Sequence, residues 1–177
     1  MMRTLPQAIL CLALYAPLAV AAQTVPKPPA AADAASTPAS VSPAELERTF
    51  FAIIRSGDAL KLLSYVPKDG VNLGRDAHHA TRDEIEEQFS SHTGLYCKLF
   101  DSACLAADRK ASGPACSYRE LLTQSDKVRT ASTETTRNGV RQAIVVAEVH
   151  NDRCAGAFLI DFIFNYQHGG WKLFSIP

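Results

Sequence analysis

The chain has 177 residues, with 18 Lys+Arg against 18 Asp+Glu, 47% hydrophobic and 20% charged. That length suits about one domain, and the apolar share excludes a wholly disordered chain. A zero formal charge with no basic stripe argues against nucleic-acid binding, which needs a cationic footprint.

Met1-Met2-Arg3 carries one positive charge, and the apolar run Ala8 to Ala16 follows. Leu18-Ala19-Val20-Ala21-Ala22 then supplies the small residues that a signal peptidase requires. This pattern predicts a secretory signal peptide over 1–22, discarded together with Cys11. The protein would then be periplasmic or secreted, with no integral membrane span after cleavage. Retention as an anchor is the competing reading. Pro6 and Pro17 interrupt the uncharged run, whereas a span needs about 20 mostly apolar residues. Residues 23–41 hold four Pro and six Ala, but only Val25 and Val41 as larger apolar groups. Such a stretch cannot offset its ordering entropy and reads as a disordered linker. Residues 42–177 are expected to form a single domain.

That domain begins with helices. Ser42-Pro43-Ala44-Glu45 places a cap, a proline at the first turn and Glu at the third position, a capping-box pattern. Leu46, Phe50, Ile53 and Ile54 then share one face, and Gly57 suits a left-handed stop. Asp58 can cap a second short helix through Leu60, Leu62, Leu63 and Val66. Pro67, Gly70 and Gly74 predict loop. Thr81-Arg82-Asp83-Glu84 is a second capping box, followed by Ile85, Phe89 and His92 on one face and a stop at Gly94. Residues 95–106 are apolar, with a helical turn expected after Asp101. Ser117-Tyr118-Arg119-Glu120 is a third capping box, opening a short helix with Leu121 and Leu122.

From residue 127 the period becomes alternating. Residues 127–136 predict a strand, Asn138-Gly139 a two-residue hairpin, and 143–149 the returning strand. Asn151-Asp152 turns the chain into a long strand over 155–166, and His168-Gly169-Gly170 turns it into a last strand from Trp171 to Ile176. Helices first and an antiparallel meander afterwards predict α+β: N-terminal helices on a curved antiparallel sheet of about four or more strands, stabilised by disulfides.

Two helices joined at Ser56-Gly57-Asp58-Ala59, a third capped helix, and long strands ending in Gly169-Gly170-Trp171-Lys172-Leu173 resemble the nuclear-transport-factor-2-like superfamily, which includes SnoaL-like domains. The resemblance covers about 43–177, and the cysteine-containing stretch 95–126 departs from the usual pattern. It implies a curved sheet wrapped around helices to form a cone with a pocket. Members include enzymes, ligand binders and assembly modules, so function must be argued from the site.

Cys97, Cys104, Cys116 and Cys154 remain after signal removal. An even count in an exported chain predicts two disulfides. The gaps of six, eleven and thirty-seven residues lack the short C-x₂₋₄-C pairs of a zinc site, so no metal is expected. Three pairings are open to four cysteines. The expected one is Cys104–Cys116, closing the loop 105–115, with Cys97–Cys154 tying helices to sheet.

Asp161 is the most informative polar residue. Leu159, Asp161 and Ile163 share one face of the long strand, and Phe158, Ile160, Phe162 and Phe164 the other. A strand apolar on both sides is expected to be covered on both sides, leaving Asp161 either in need of a partner such as Arg141 or at a partly solvated position on the sheet rim. The family resemblance implies a pocket acid at such a place, acting as a base or binding ligand. His78-His79 lies before the Thr81 cap without the helical spacing of a metal motif, and His79 is the candidate helper or ligand contact. No G-x-S-x-G elbow, P-loop, dinucleotide fingerprint or EF-hand occurs, and no cofactor is expected.

The sequence therefore supports an exported, non-catalytic binding domain for a partner protein or small ligand of the cell envelope, with an inhibitor or immunity-type protein as one version. The alternative is a cone-fold envelope enzyme using Asp161 as general base and His79 as helper. A homodimer through the open sheet face is a third reading.

Overall fold

The computed structural model describes residues 41–74, 78–108, 116–154 and 156–177. The signal and linker expectations over 1–40 lie outside the described residues, as does 109–115 of the expected loop 105–115. Helices α1 (Pro43–Ser56) and α2 (Ala59–Leu63) lead into two short strands, β1 (Val71–Leu73) and β2 (His78–Ala80). Helices α3 (Arg82–Ser90), α4 (Leu95–Phe100), α5 (Ser102–Asp108) and α6 (Tyr118–Gln124) follow. Strands β3 (Lys127–Arg137), β4 (Val140–Asn151), β5 (Gly156–Gln167) and β6 (Gly170–Ile176) complete the chain.

The strands form one six-stranded sheet in the order β2-β1-β6-β5-β4-β3. Strands β3 to β6 are the antiparallel meander that the alternation predicts. The short pair β1–β2 adds to its β6 edge, with β1 parallel to β6 through Asn72↔Ser175 and Leu73↔Ile176, so the sheet is mixed. Three-residue strands flanked by glycine leave too short a period to read from sequence, which is why 67–80 reads as loop and His78-His79 falls instead on an edge strand. At β5–β6 the register jumps between Ile163 and Phe164, so that Ile163 faces Ser175 while Phe164 faces Leu173. Phe174 is the extra residue, and such a bulge bends its strand.

The helices are set by their caps. The Thr81 hydroxyl accepts from Glu84 N, and the Glu84 carboxylate accepts the Thr81 N–H at 2.7 Å, a complete capping box. Ser42 and Ser117 cap through their hydroxyls alone. Glu120 instead accepts from the Ser102 hydroxyl, which stitches α6 to the start of α5. Gly57 ends α1 at φ 73°, with its N–H donating to Ile53 and Ile54 carbonyls.

The core lies between α1 and the inner sheet face. Phe50 sits edge-on to Phe162 and Phe164, with ring centroids 4.8 and 4.9 Å away, and to Tyr65 at 5.6 Å. Ala143, Val145, Ala147 and Val149 supply the β4 part of that face, all buried. The two alanines leave room for the phenyl rings, because close packing needs small residues opposite large ones. At the inner rim, the Arg141 guanidinium is 4.6 Å from the Tyr166 ring centroid and 5.5 Å from that of Trp171. Arg141 also pairs with Glu134 at 2.7 Å, and the Trp171 indole N–H donates to the Val41 carbonyl.

The four cysteines among the described residues are joined, but as Cys97–Cys104 and Cys116–Cys154, with Cα separations of 5.2 and 5.8 Å. The expected pairing is corrected by the break at Asp101. Its carboxylate accepts from the N–H groups of Ala103 and Cys104 and starts α5 anew, which folds Cys104 back toward Cys97. The Ser102 hydroxyl meets the Ser117 N–H at 2.8 Å, and Cys116 then lies beside the 3₁₀ turn Asp152–Cys154 after β4.

Candidate functional site

The inner and outer faces of the sheet divide the expected site residues. Asp161 stands opposite Val146 on the outer face, where it is exposed. The expectation of a strand covered on both sides is therefore overturned: helices cover Ile160, Phe162 and Phe164, while Leu159 on the other side is 64% exposed. Arg141 projects from the inner face of β4, so it cannot pair with Asp161 across the sheet. Its guanidinium is held further above its ordinary pKa by the Glu134 hydrogen bond.

His79 is exposed on β2, and its Nε2–H donates to the Asp69 carbonyl at 2.5 Å. Three inter-strand steps, β5 to β6 to β1 to β2, separate it from the strand of Asp161. At about 4.8 Å per step the two backbones are at least about 14 Å apart. The structure does not bring Asp161 and His79 together as a base and its helper.

Cys116, Glu120 and Cys154 place potential donor atoms within 4.8 Å of one another. The two sulfurs are bonded to each other, so neither is the thiolate a metal would need.

The pairing register places distinct rows of side chains on the outer face. Thr133, Ile144 and Ile163 form one row, Ala131, Val146 and Asp161 the next, and Arg129, Glu148 and Leu159 a third. Ile144, Val146 and Ile163 are half-buried, and Leu159 stands clear. Phe174, the bulged residue on β6, is 41% exposed. Beside Leu159 the end of β3–β4–β5 encloses a concavity of about 580 Å³. Ala157, Phe158 and Leu159 line it with apolar surface, and Lys127 and Arg129 supply the cations, with Glu148 between them in the sheet. His150 borders it and pairs with Asp152 at 3.0 Å. An apolar centre with charged residues at its edge has the layout of a protein–protein interface. The alternation of β5 carried the signal for this face, since a charge between two aliphatic residues of one face indicates solvent rather than a second covering layer.

A second opening, of about 750 Å³, lies between α2 and α3–α4. There the His92 ring stacks on Tyr96 at 4.3 Å, and Arg82 pairs with Glu86 at 2.7 Å. His92 does not continue the buried face of α3: that helix stops at Ser90, and His92 is an exposed residue at φ 54°.

No helix among the described residues is long and apolar enough to cross a membrane. No family model matches the chain, and no curated protein matches it. Solved structures that it resembles in fold are designed NTF2-fold proteins. A substituted variant of Rd1NTF2_05 is 14% identical, with 76% of this chain and 93% of that one covered and a TM-score of 0.42. "Rd1NTF2_05 with long sheet" is 14% identical over 76% and 94%, with a TM-score of 0.39. "Rd1NTF2_04 with long sheet" is 11% identical over 76% and 97%, with a TM-score of 0.41.

Proposed function

We propose that the chain is an exported, non-catalytic binding domain that docks a partner protein of the cell envelope on its outer sheet face. The N-terminal pattern over 1–22 and the use of four cysteines in two bridges support export. The observation that carries the binding reading is Leu159, 64% exposed beside a concavity with Lys127 and Arg129 at its edge. Leu159 next to Glu148, with Arg129 and Lys127 beyond it, fits a partner that presents an apolar side chain with a cation and then carboxylates along the same direction. An inhibitor or immunity-type protein is one concrete form of this reading.

The test places a photo-crosslinking side chain at Ala131 on the outer face, with Leu60 of α2 as the control position. The expected result is a heteromeric adduct at position 131, absent at position 60 and lost when Leu159→Asp or Arg129→Glu is added. An adduct of twice the chain's own mass, equal adducts at both positions, or none at position 131 overturns the proposal.

A further inference from the structure

A separate cavity of about 630 Å³ lies between the loop after α2 and the β5–β6 hairpin. Among the described residues, three permanent cations line it, Lys68, Arg82 and Lys172, together with His168 and one carboxylate, Asp69. They come from distant parts of the chain and are brought together by the end of α2. Arg82 Nη1 donates to the Leu63 and Val66 carbonyls at 3.2 and 2.7 Å, and Lys172 Nζ donates to the Ser64 carbonyl at 2.7 Å. Those bonds hold two cations in place before any ligand arrives. Arg82 Nε is used by Glu86, while among the described residues neither its Nη2 nor Lys68 Nζ has a hydrogen-bond partner. Across the opening His168, at φ 49° in the tight turn His168-Gly169, lines the cavity from the hairpin. Cations fixed by backbone carbonyls on one wall, with unused donors beside them, make a site for an anion with several acceptor oxygens.

We infer that this cavity binds a small soluble oxyanion carrying at least two negative charges, held by Lys68, Arg82, His168 and Lys172. The inference is independent of the outer-face proposal, which uses none of these residues. Preorganised cations lower the ordering cost of binding, and Asp69 at the rim selects against monoanions too weakly charged to outweigh it.

The test is a titration of the full chain, disulfides intact, with inorganic pyrophosphate, followed by amide chemical shifts. Sodium perchlorate at matched ionic strength is the control. Saturable shifts are expected at Gly70, Gly169, Gly170 and Lys172, with none from perchlorate. Lys68→Glu reverses a charge that has no hydrogen-bond or ion-pair partner among the described residues, and is expected to weaken binding about ten-fold or more. Lys127→Glu, on the outer face, is expected to leave the affinity unchanged. Absence of saturable shifts, shifts centred elsewhere, an unchanged affinity in Lys68→Glu, or equal weakening by Lys127→Glu overturns the inference.

Discussion

The two disulfides make a quantitative comparison, because their burial is alike. Each joins one fully buried sulfur, Cys97 or Cys154, to one half-exposed partner, Cys104 or Cys116. The loops they close do not match: the sequence separations are 7 and 38. In the chain-entropy account, removing the longer closure costs about 4 kcal/mol and the shorter about 2.4 kcal/mol. Packing losses on changing each pair to alanine are similar and cancel in the comparison. With about 135 residues from position 41 onward, the unfolding entropy is roughly 0.28 kcal/mol per degree. The Cys116→Ala/Cys154→Ala protein should therefore melt about 14 °C below the parent, and the Cys97→Ala/Cys104→Ala protein about 8 °C below it. Thermal melts and urea titrations followed by circular dichroism measure both differences, and non-reducing peptide mapping checks the pairing. A larger loss from the Cys97/Cys104 variant, or a peptide joining Cys104 to Cys116, refutes the reasoning.

Other outcomes follow from single positions. Gly70 is at φ 93°, and a Cβ there would lie 2.1 Å from the Ala80 carbonyl oxygen, so Gly70→Ala should destabilise by more than about 1 kcal/mol in urea titrations. Asp161→Asn removes an exposed carboxylate without an ion-pair partner among the described residues, and should change stability by less than about 0.5 kcal/mol; a larger loss would restore a structural role for that group. The Glu84 and Asp58 carboxyls are held below the ordinary carboxylate value, chiefly by the backbone N–H groups of Thr81 and Lys61 that they accept from. A depressed folded pKa contributes stability above the unfolded value and loses it as the pH falls through the folded one. Denaturation midpoints should therefore drop as the pH falls through and below the ordinary carboxylate range, and Glu84→Gln should flatten that slope; an unchanged slope counts against the capping-box account.

Much of the fold was legible because the signals were local. Each predicted cap position—Ser42, Asp58, Thr81 and Ser117—accepts the backbone N–H it was expected to accept. The hairpin at Asn138-Gly139 and the alternation of β4 and β5 likewise depend on neighbours in sequence. What escaped depends on distant partners. The parallel pairing of β1 with β6 joins residues about a hundred positions apart, and nothing within three residues of Asn72 announces it. The disulfide pairing turned on the Asp101 side chain restarting a helix, a contact invisible to spacing arithmetic. Asp161 stands out in the β5 pattern, but whether a second layer covers its face is a property of the whole sheet. The cations Lys68, Arg82 and Lys172 look scattered along the chain, and only the end of α2 gathers them.

On the proposed reading the outer sheet face, anchored by Leu159, binds a different protein. Native mass spectrometry of the protein recovered from its own cell-envelope extract decides this, with wild type and Leu159→Asp compared at equal circular dichroism. A heteromeric mass in wild type that disappears in Leu159→Asp is the predicted result. A homodimer, a bare monomer in both proteins, or a heteromer that survives Leu159→Asp would contradict it.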